Sequence, residues 1–211
     1  MANAASEIGK ARGHRWFAFY YEFLSRGMEA RGMGERRSRL LEDLRGNILE
    51  VGAGNGLNLS HYRQIDRLIA LEPDPYMIQR LGPRAHQVAF PVEIVPAGAE
   101  ALPFDAGIFD AVVTTLVLCS VANLATVLSE IHRVLKPGGQ LRFIEHVRAG
   151  GIGGQLQDLI APVWSYFGAG CRPNRRTEEV IRGAGFEIGA VERFRMGLLP
   201  FIVGTAARIG A

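Results

Sequence analysis

The stretch Ile48-Leu49-Glu50-Val51-Gly52-Ala53-Gly54-Asn55-Gly56 constrains this chain more than any other. An apolar run broken by one Glu reads as a buried strand, and the glycines after it pave a tight turn almost free of side chains. Such a turn lets a ligand lie against backbone N–H groups, and a helix is expected to start at Leu57. The glycine spacing then separates cofactor classes. A dinucleotide fingerprint, G-x-G-x-x-G, needs its third glycine one position later, where this chain has Leu57. The turn argues against a nicotinamide dinucleotide and leaves another nucleoside-bearing cofactor.

Around this turn, from Arg45 to Val147, short β-rich runs alternate with helical patterns. Asn47–Val51, Arg67–Leu71, Val92–Val95, Ala111–Thr115 and Gln140–Val147 are expected strands; Leu57–Gln64, Pro75–Leu81 and Asn123–Leu135 are expected helices. Lys136-Pro137-Gly138-Gly139 stops the last helix and turns the chain into the next strand. Repeated strand–helix–strand units predict an α/β fold, a doubly wound, mostly parallel sheet with helices on both faces. Arg148–Gly154 reads as a loose glycine-rich link. Helices over Gln155–Phe167 and Arg175–Ala184 then lead to closing strands at Phe186–Phe194 and Leu199–Ala206. Before the core, Gly13–Ala30 carries a broad aromatic face on one helix, expected to pack on the domain and roof a pocket.

Length and composition bound the possibilities. A chain of 211 residues, 48% hydrophobic and 21% charged, suits one soluble domain. Within it, residues 1–44 are expected to form a helical lid, 45–147 a cofactor-binding core, and 148–211 the substrate-side helices and closing strands. Two cysteines make no disulfide framework and fit a reducing, cytoplasmic setting. The net charge of +3 comes from arginines interspersed with acids, and no nucleic-acid-binding motif is present, so no nucleic-acid partner is expected. Apolar runs such as Leu198–Val203 are too short to span a bilayer, leaving at most peripheral membrane contact through the N-terminal aromatic helix.

Glu72 ends the second strand about twenty residues after Gly52, where an acidic side chain reaches a ribose diol. Pro73, Asp74 and Pro75 open the following helix. At this point Ile48–Gly56, Leu71-Glu72-Pro73, Gly98–Phe104, Phe109–Val113 and Val134–Gly139 together resemble the ordered motifs of class I S-adenosylmethionine-dependent methyltransferases. The resemblance implies a Rossmann-like seven-stranded sheet. Thr115–Val121, Glu145-His146-Val147 and Gly170-Cys171 are similar to the methyltransferase-like protein 7 group, which is associated with methylation of small thiols. By this resemblance Glu50 and the backbone of Gly52, Ala53 and Gly54 hold the methionine end of S-adenosylmethionine. Glu72, with Pro73 beside it, takes the ribose. Ala99 and Glu100 border the adenine, and Thr115 and Leu116 line the sulfonium side. Many members carry Asp where this chain has Gly98, so the adenine amine needs another acceptor, Ala99 backbone or the Glu100 side chain.

The acceptor side falls to the flanks. Phe17, Tyr20 and Tyr21 of the aromatic helix, with Cys119, Glu145 and Cys171, are the candidate substrate-side residues. His146 is the candidate base, placed at the carboxyl end of its strand where ligands bind in open α/β sheets. Glu145 points the other way if the strand persists. No two metal-ligating residues share a recognised spacing, so no metal is expected. The reading is methyl transfer to a small acceptor, a thiol first, with a lipid or quinone acceptor or a non-catalytic cofactor-binding protein as alternatives. Oligomeric state is not legible.

Overall fold

The structure is a computed structural model that describes residues 15–168 and 170–210, apart from the side chains of Phe17 and Phe167. Seven strands make one sheet: β1 Asn47–Val51, β2 Arg67–Leu71, β3 Val92–Val95, β4 Phe109–Thr115, β5 Leu135–His146, β6 Phe186–Met196 and β7 Leu199–Arg208. Their order is β3-β2-β1-β4-β5-β7-β6. The first five are parallel, and β7 runs antiparallel to both β5 and β6. Strand order reverses beside β1, so the crevice at the carboxyl ends of β1 and β4 is the expected ligand position for such a sheet.

Six helices surround it: α1 Arg15–Met28, α2 Gly34–Leu41, α3 Pro75–Ala85, α4 Leu124–Val134, α5 Gly151–Phe167 and α6 Thr177–Gly183. The core divides in two because alternate strand residues face opposite ways. Leu49 and Val51 join Val112, Leu141 and Phe143 beneath α4 and α6. Ile48 joins Ala111, Val113 and Ile144 with Leu40 and Leu41 of α2 and Leu81 of α3. Asn123 caps α4 by accepting the Thr126 N–H, and Asp74 caps α3 by accepting the Tyr76 N–H, with Pro75 at the first helical position.

Three local expectations are corrected. No α-helix forms over Leu57–Gln64; a single tight turn at Leu59–His61 replaces it. Asn58 and Tyr62 there are drawn to a buried carboxylate, and Asn favours such local bonding over helix. Gly151–Gly154 is not a loose link but the first turn of α5. The aromatic helix also packs far less than its composition suggests. Ala18 and Ser25 of α1 are buried, while Phe19 and Phe23 stand 74% and 77% exposed. Lys136–Gly139 does end α4, but as an irregular opening stretch of β5 that shifts its register against β4.

Gly204 of β7 lies opposite Phe143 and allows the sheet to close over that ring. A Cβ there would sit 2.8 Å from the Phe143 ring and 3.0 Å from Val191. Gly204→Ala is expected to destabilise the fold by about 1–3 kcal/mol through overpacking, read from the urea unfolding midpoint.

Candidate functional site

At the carboxyl edge of the sheet the glycine turn is tied to β2. The Gly52 and Ala53 N–H groups donate to the Leu71 carbonyl at 2.8 and 3.0 Å. The Glu72 carboxylate accepts from the Gly54 N–H at 2.8 Å and from the Asp74 N–H at 2.9 Å. Burial raises its pKa, an effect those two N–H bonds oppose. Gly52, at φ +67°, is required by close approach: a Cβ would strike Val117 at 2.5 Å. Beside this turn is a cavity of about 440 Å³. Gly52, Gly54, Glu72, Pro73, Ala99, Glu100, Thr115 and Leu116 line it, as the sequence proposes. Glu50 and Ala53 do not line it.

Across the cavity, Glu100 answers the question raised by Gly98. One carboxylate oxygen accepts the Ala122 N–H at 3.0 Å. The other lies 3.5 Å from where a Gly98 Cβ would project. The carboxylate therefore stands beside the position that a side chain at residue 98 would occupy. A carboxylate at each end, apolar walls such as Met77 and Val121, and a bare backbone turn make a cradle suited to a nucleoside.

A second cavity, of about 370 Å³, adjoins the first and shares Tyr21, Leu116, Ser120 and Gly168 with it. Leu116 sits at φ +60°, the one non-glycine with positive φ among the described residues, and its N–H donates to the Ile144 carbonyl at 2.8 Å. A β-region default would carry the chain straight on; this strained residue turns it between the two cavities. Tyr20, Cys119, His146, Cys171, Trp164 and Phe201 line the second cavity. Phe17 lies among the side chains outside the description.

The alternation of β5 separates Glu145 from His146. Glu145 is fully buried and lines neither cavity, which corrects its substrate-side assignment. Its carboxylate accepts the N–H groups of Val117 at 3.1 Å, Leu118 at 3.0 Å and Cys119 at 3.4 Å, and burial raises its pKa. It is a loop clamp. His146 faces the second cavity, 6% exposed, with Nε2 2.8 Å from the Cys171 sulfur. Contact with the Cys119 sulfur and burial push the Cys171 thiol well above its ordinary range. Cys119, His146 and Cys171 offer ligand atoms that all lie within 4.8 Å of one another. Sequence spacing gave no sign of this cluster, because its members come from three separate segments.

Comparison with known proteins agrees with this geometry. Residues 49–143 match the family described as a methyltransferase domain. The rat thiol S-methyltransferase TMT1B is 32% identical over 184 residues, covering 79% of this chain and 75% of that protein. The chain belongs to the methyltransferase domain family. The human thiol S-methyltransferase TMT1B is 34% identical over 152 residues, 69% of this chain and 62% of that protein. The chain spans about three fifths of the length of the human relatives it matches. Among solved structures, geranyl diphosphate C-methyltransferase from Streptomyces coelicolor A3(2), in complex with S-adenosyl-L-homocysteine, shares the fold at a TM-score of 0.67 and 14% identity, covering 84% of this chain and 76% of that one.

In this methyltransferase domain Glu50 serves the turn from beneath. Its two oxygens accept from Asn58 Nδ2 at 2.9 Å and Tyr62 Oη at 2.8 Å. Asn58 also donates to Thr115 Oγ1 at 3.0 Å and accepts from Arg37 at 2.6 Å. The network ties β1, β4 and the Leu59 turn together, so the site's floor is polar and fully engaged. Desolvation raises the Glu50 pKa to about 7 despite these bonds. A carboxyl whose folded pKa is raised contributes stability that is complete below its unfolded pKa and is lost as pH rises through the folded one. Glu50→Gln is therefore expected to flatten the fall in stability between about pH 4.5 and 7, on the order of 3 kcal/mol in full, measured by urea titration across that range.

Proposed function

We propose that this protein transfers a methyl group from S-adenosylmethionine to the thiol sulfur of a small, largely apolar acceptor. One observation carries the reading: a nucleoside-shaped cavity and a cavity walled by His146, Cys119 and Cys171 meet at Leu116. The thiol S-methyltransferase relatives support the choice of acceptor atom. The S-adenosyl-L-homocysteine complex of the geranyl diphosphate enzyme supports the choice of cofactor.

When bound, S-adenosylmethionine supplies an electrophilic methyl carbon, so the hard chemistry is the cofactor's. The chain's task is to bind, orient and keep water out. Glu72 would hold the ribose hydroxyls, and Glu100 would accept from the adenine amine. The turn of Gly52 and Gly54 presents bare backbone to the methionine end. Leu116 and Thr115 hold the wall through which the two cavities meet. The acceptor must be aligned with the methyl group, and the aliphatic and aromatic lining of the second cavity excludes the competing water. A thiol with a pKa near ~8.5 is partly ionised at neutral pH, so a single group at the wall suffices to take its proton. His146 is placed for that role.

The chain is a cytoplasmic protein in this reading, touching membranes at most peripherally. No described helix is long and apolar enough to cross a membrane. Peripheral contact is supported by the outward faces of α1 and α5, where Phe19, Phe23, Ile152 and Leu159 are exposed, and both helices contribute walls to the acceptor cavity. An apolar acceptor could then enter directly from a lipid surface.

Labelled S-adenosylmethionine, offered with panels of small thiols, phenols and amines, and lipid vesicles, tests the assignment. Transfer to thiols is the expected result; transfer to lipid alone, or cofactor binding without any transfer, defeats it. Glu72→Ala is expected to weaken cofactor binding at least about tenfold by calorimetry, from the loss of hydrogen bonds to a charged acceptor. His146→Ala should lower turnover and leave cofactor affinity intact, and an equal loss of both would make the residue structural.

A further inference from the structure

The geometry points to a metal site: we propose that Cys119, His146 and Cys171 bind one zinc ion whose fourth position opens into the acceptor cavity. This deepens the thiol reading and rests on it for the fourth ligand, which would be the acceptor sulfur.

The donor set is the first argument. Two thiolates and one imidazole are a recurring catalytic zinc set, with the remaining tetrahedral position left to substrate or water. Soft sulfur donors select zinc over magnesium or calcium. A tetrahedral ion with Zn–S near 2.3 Å and Zn–N near 2.0 Å places its ligand atoms about 3.5–3.8 Å apart. Here His146 Nε2 and Cys171 Sγ are 2.8 Å apart, and all three atoms fall within 4.8 Å. Shifts of about 1 Å in side chains convert one arrangement into the other.

The surroundings are the second argument, since they hold each ligand in place. The three N–H bonds to Glu145 fix the Val117–Cys119 turn. The Arg172 N–H donates to the Cys119 carbonyl at 2.8 Å and so joins the two cysteine segments. The Trp164 indole N–H points at the Cys171 sulfur from 3.3 Å, as a donor to a thiolate does. The His146 ring packs edge-on against Phe201 at 5.8 Å, and its Nδ1 is buried with no hydrogen-bond partner. Packing therefore aims Nε2 at the sulfurs. The cluster forms one wall of the cavity, so the open coordination position faces a ligand the size of a small thiol.

The chemistry balances. The acceptor R–SH binds the ion as R–S⁻ and its proton goes to water, so with the metal bound His146 serves as a ligand in place of its role as base. Its sulfur lone pair forms the new S–CH₃ bond, and the electron pair of the broken methyl–sulfonium bond stays on the cofactor sulfur, which becomes neutral. The product thioether is a weaker zinc ligand than a thiolate and leaves. Zinc in this position lowers the thiol's pKa and orients the nucleophile, two tasks that His146 alone would share between one nitrogen and a neighbouring cysteine.

The test uses the full chain, dialysed against zinc and then passed through a metal-free column. About one zinc per chain should remain, and cobalt should give the thiolate charge-transfer band and tetrahedral ligand-field bands of a sulfur-rich site. Cys119→Ser and Cys171→Ala should each lose the metal and the cobalt spectrum while still binding S-adenosylmethionine, which shows that they fold. Zinc that washes off the wild-type chain, or that is held equally by the doubly substituted chain, overturns the proposal. So does a Cys119–Cys171 disulfide that, once reduced, still takes up no zinc. Removing zinc should cut thiol methylation at least about tenfold and restoring it should recover the rate. Undiminished thiol methylation by metal-free protein would overturn the metal's role and leave the thiol reading standing. Zinc held by these residues with no thiol methylated would instead sink the thiol reading and keep the metal site.

Discussion

The carboxylate of Glu145, fully buried at the end of β5, accepts three successive backbone N–H groups from the turn after β4, and both cavities depend on that turn. Loop amides at a strand end cannot be left dry without a partner, because each costs about 1–3 kcal/mol when desolvated and unpaired. Glu145 satisfies them at the cost of burying its own charge. The turn it holds contains Val117, which crowds Gly52, and Cys119, which faces His146. Leu116, just before it, accepts a left-handed conformation that few side chains adopt. A strained residue persists where its surroundings over-determine it, and here they do.

Glu72 does the same physical work beside β1, at the end of β2. It engages the Gly54 and Asp74 N–H groups and so shapes the glycine turn before any ligand arrives. Glu50 completes the pattern on the opposite face of β1, holding Asn58 and Tyr62. Three buried carboxylates at or near strand ends thus organise the loops around the site. Their burial raises all three pKa values, so the site's architecture weakens in the same direction with rising pH. Only Glu72 of the three faces a cavity, which leaves it free to trade backbone donors for ligand ones.

The same period-2 geometry divides labour along β5. Glu145 turns toward the α4 side and His146 toward α1 and β7, so neighbouring titratable residues never share a task. Arg175 reinforces the arrangement from the loop before α6, its guanidinium donating to the carbonyls of Leu118 and Val121. The wall of the second cavity is therefore assembled from the turn after β4, the end of β5 and the segment that follows α5. Its members are far apart in the chain and close in space.

Much of this was legible in the residues themselves. The five parallel strands, the turn at Gly52–Gly56, the placement of Glu72 beside that turn and the opposed directions of Glu145 and His146 follow from local patterns, because strand periodicity and glycine-lined turns are encoded over a few neighbouring residues. Local pattern misled where side chains serve distant partners. Asn58 and Tyr62 gave up a helix for Glu50, and Phe19 and Phe23 of α1 face outward where amphipathic reading turned them in. Glu50 and Glu145, read as site residues, became supports. Tertiary structure alone decided the juxtaposition of Cys119, His146 and Cys171, since no spacing rule connects residues brought together from three separate segments at one sheet edge. The sequence by itself determined the glycine turn and where the parallel strands lie; packing decided the order of the sheet and which side chains line the second cavity.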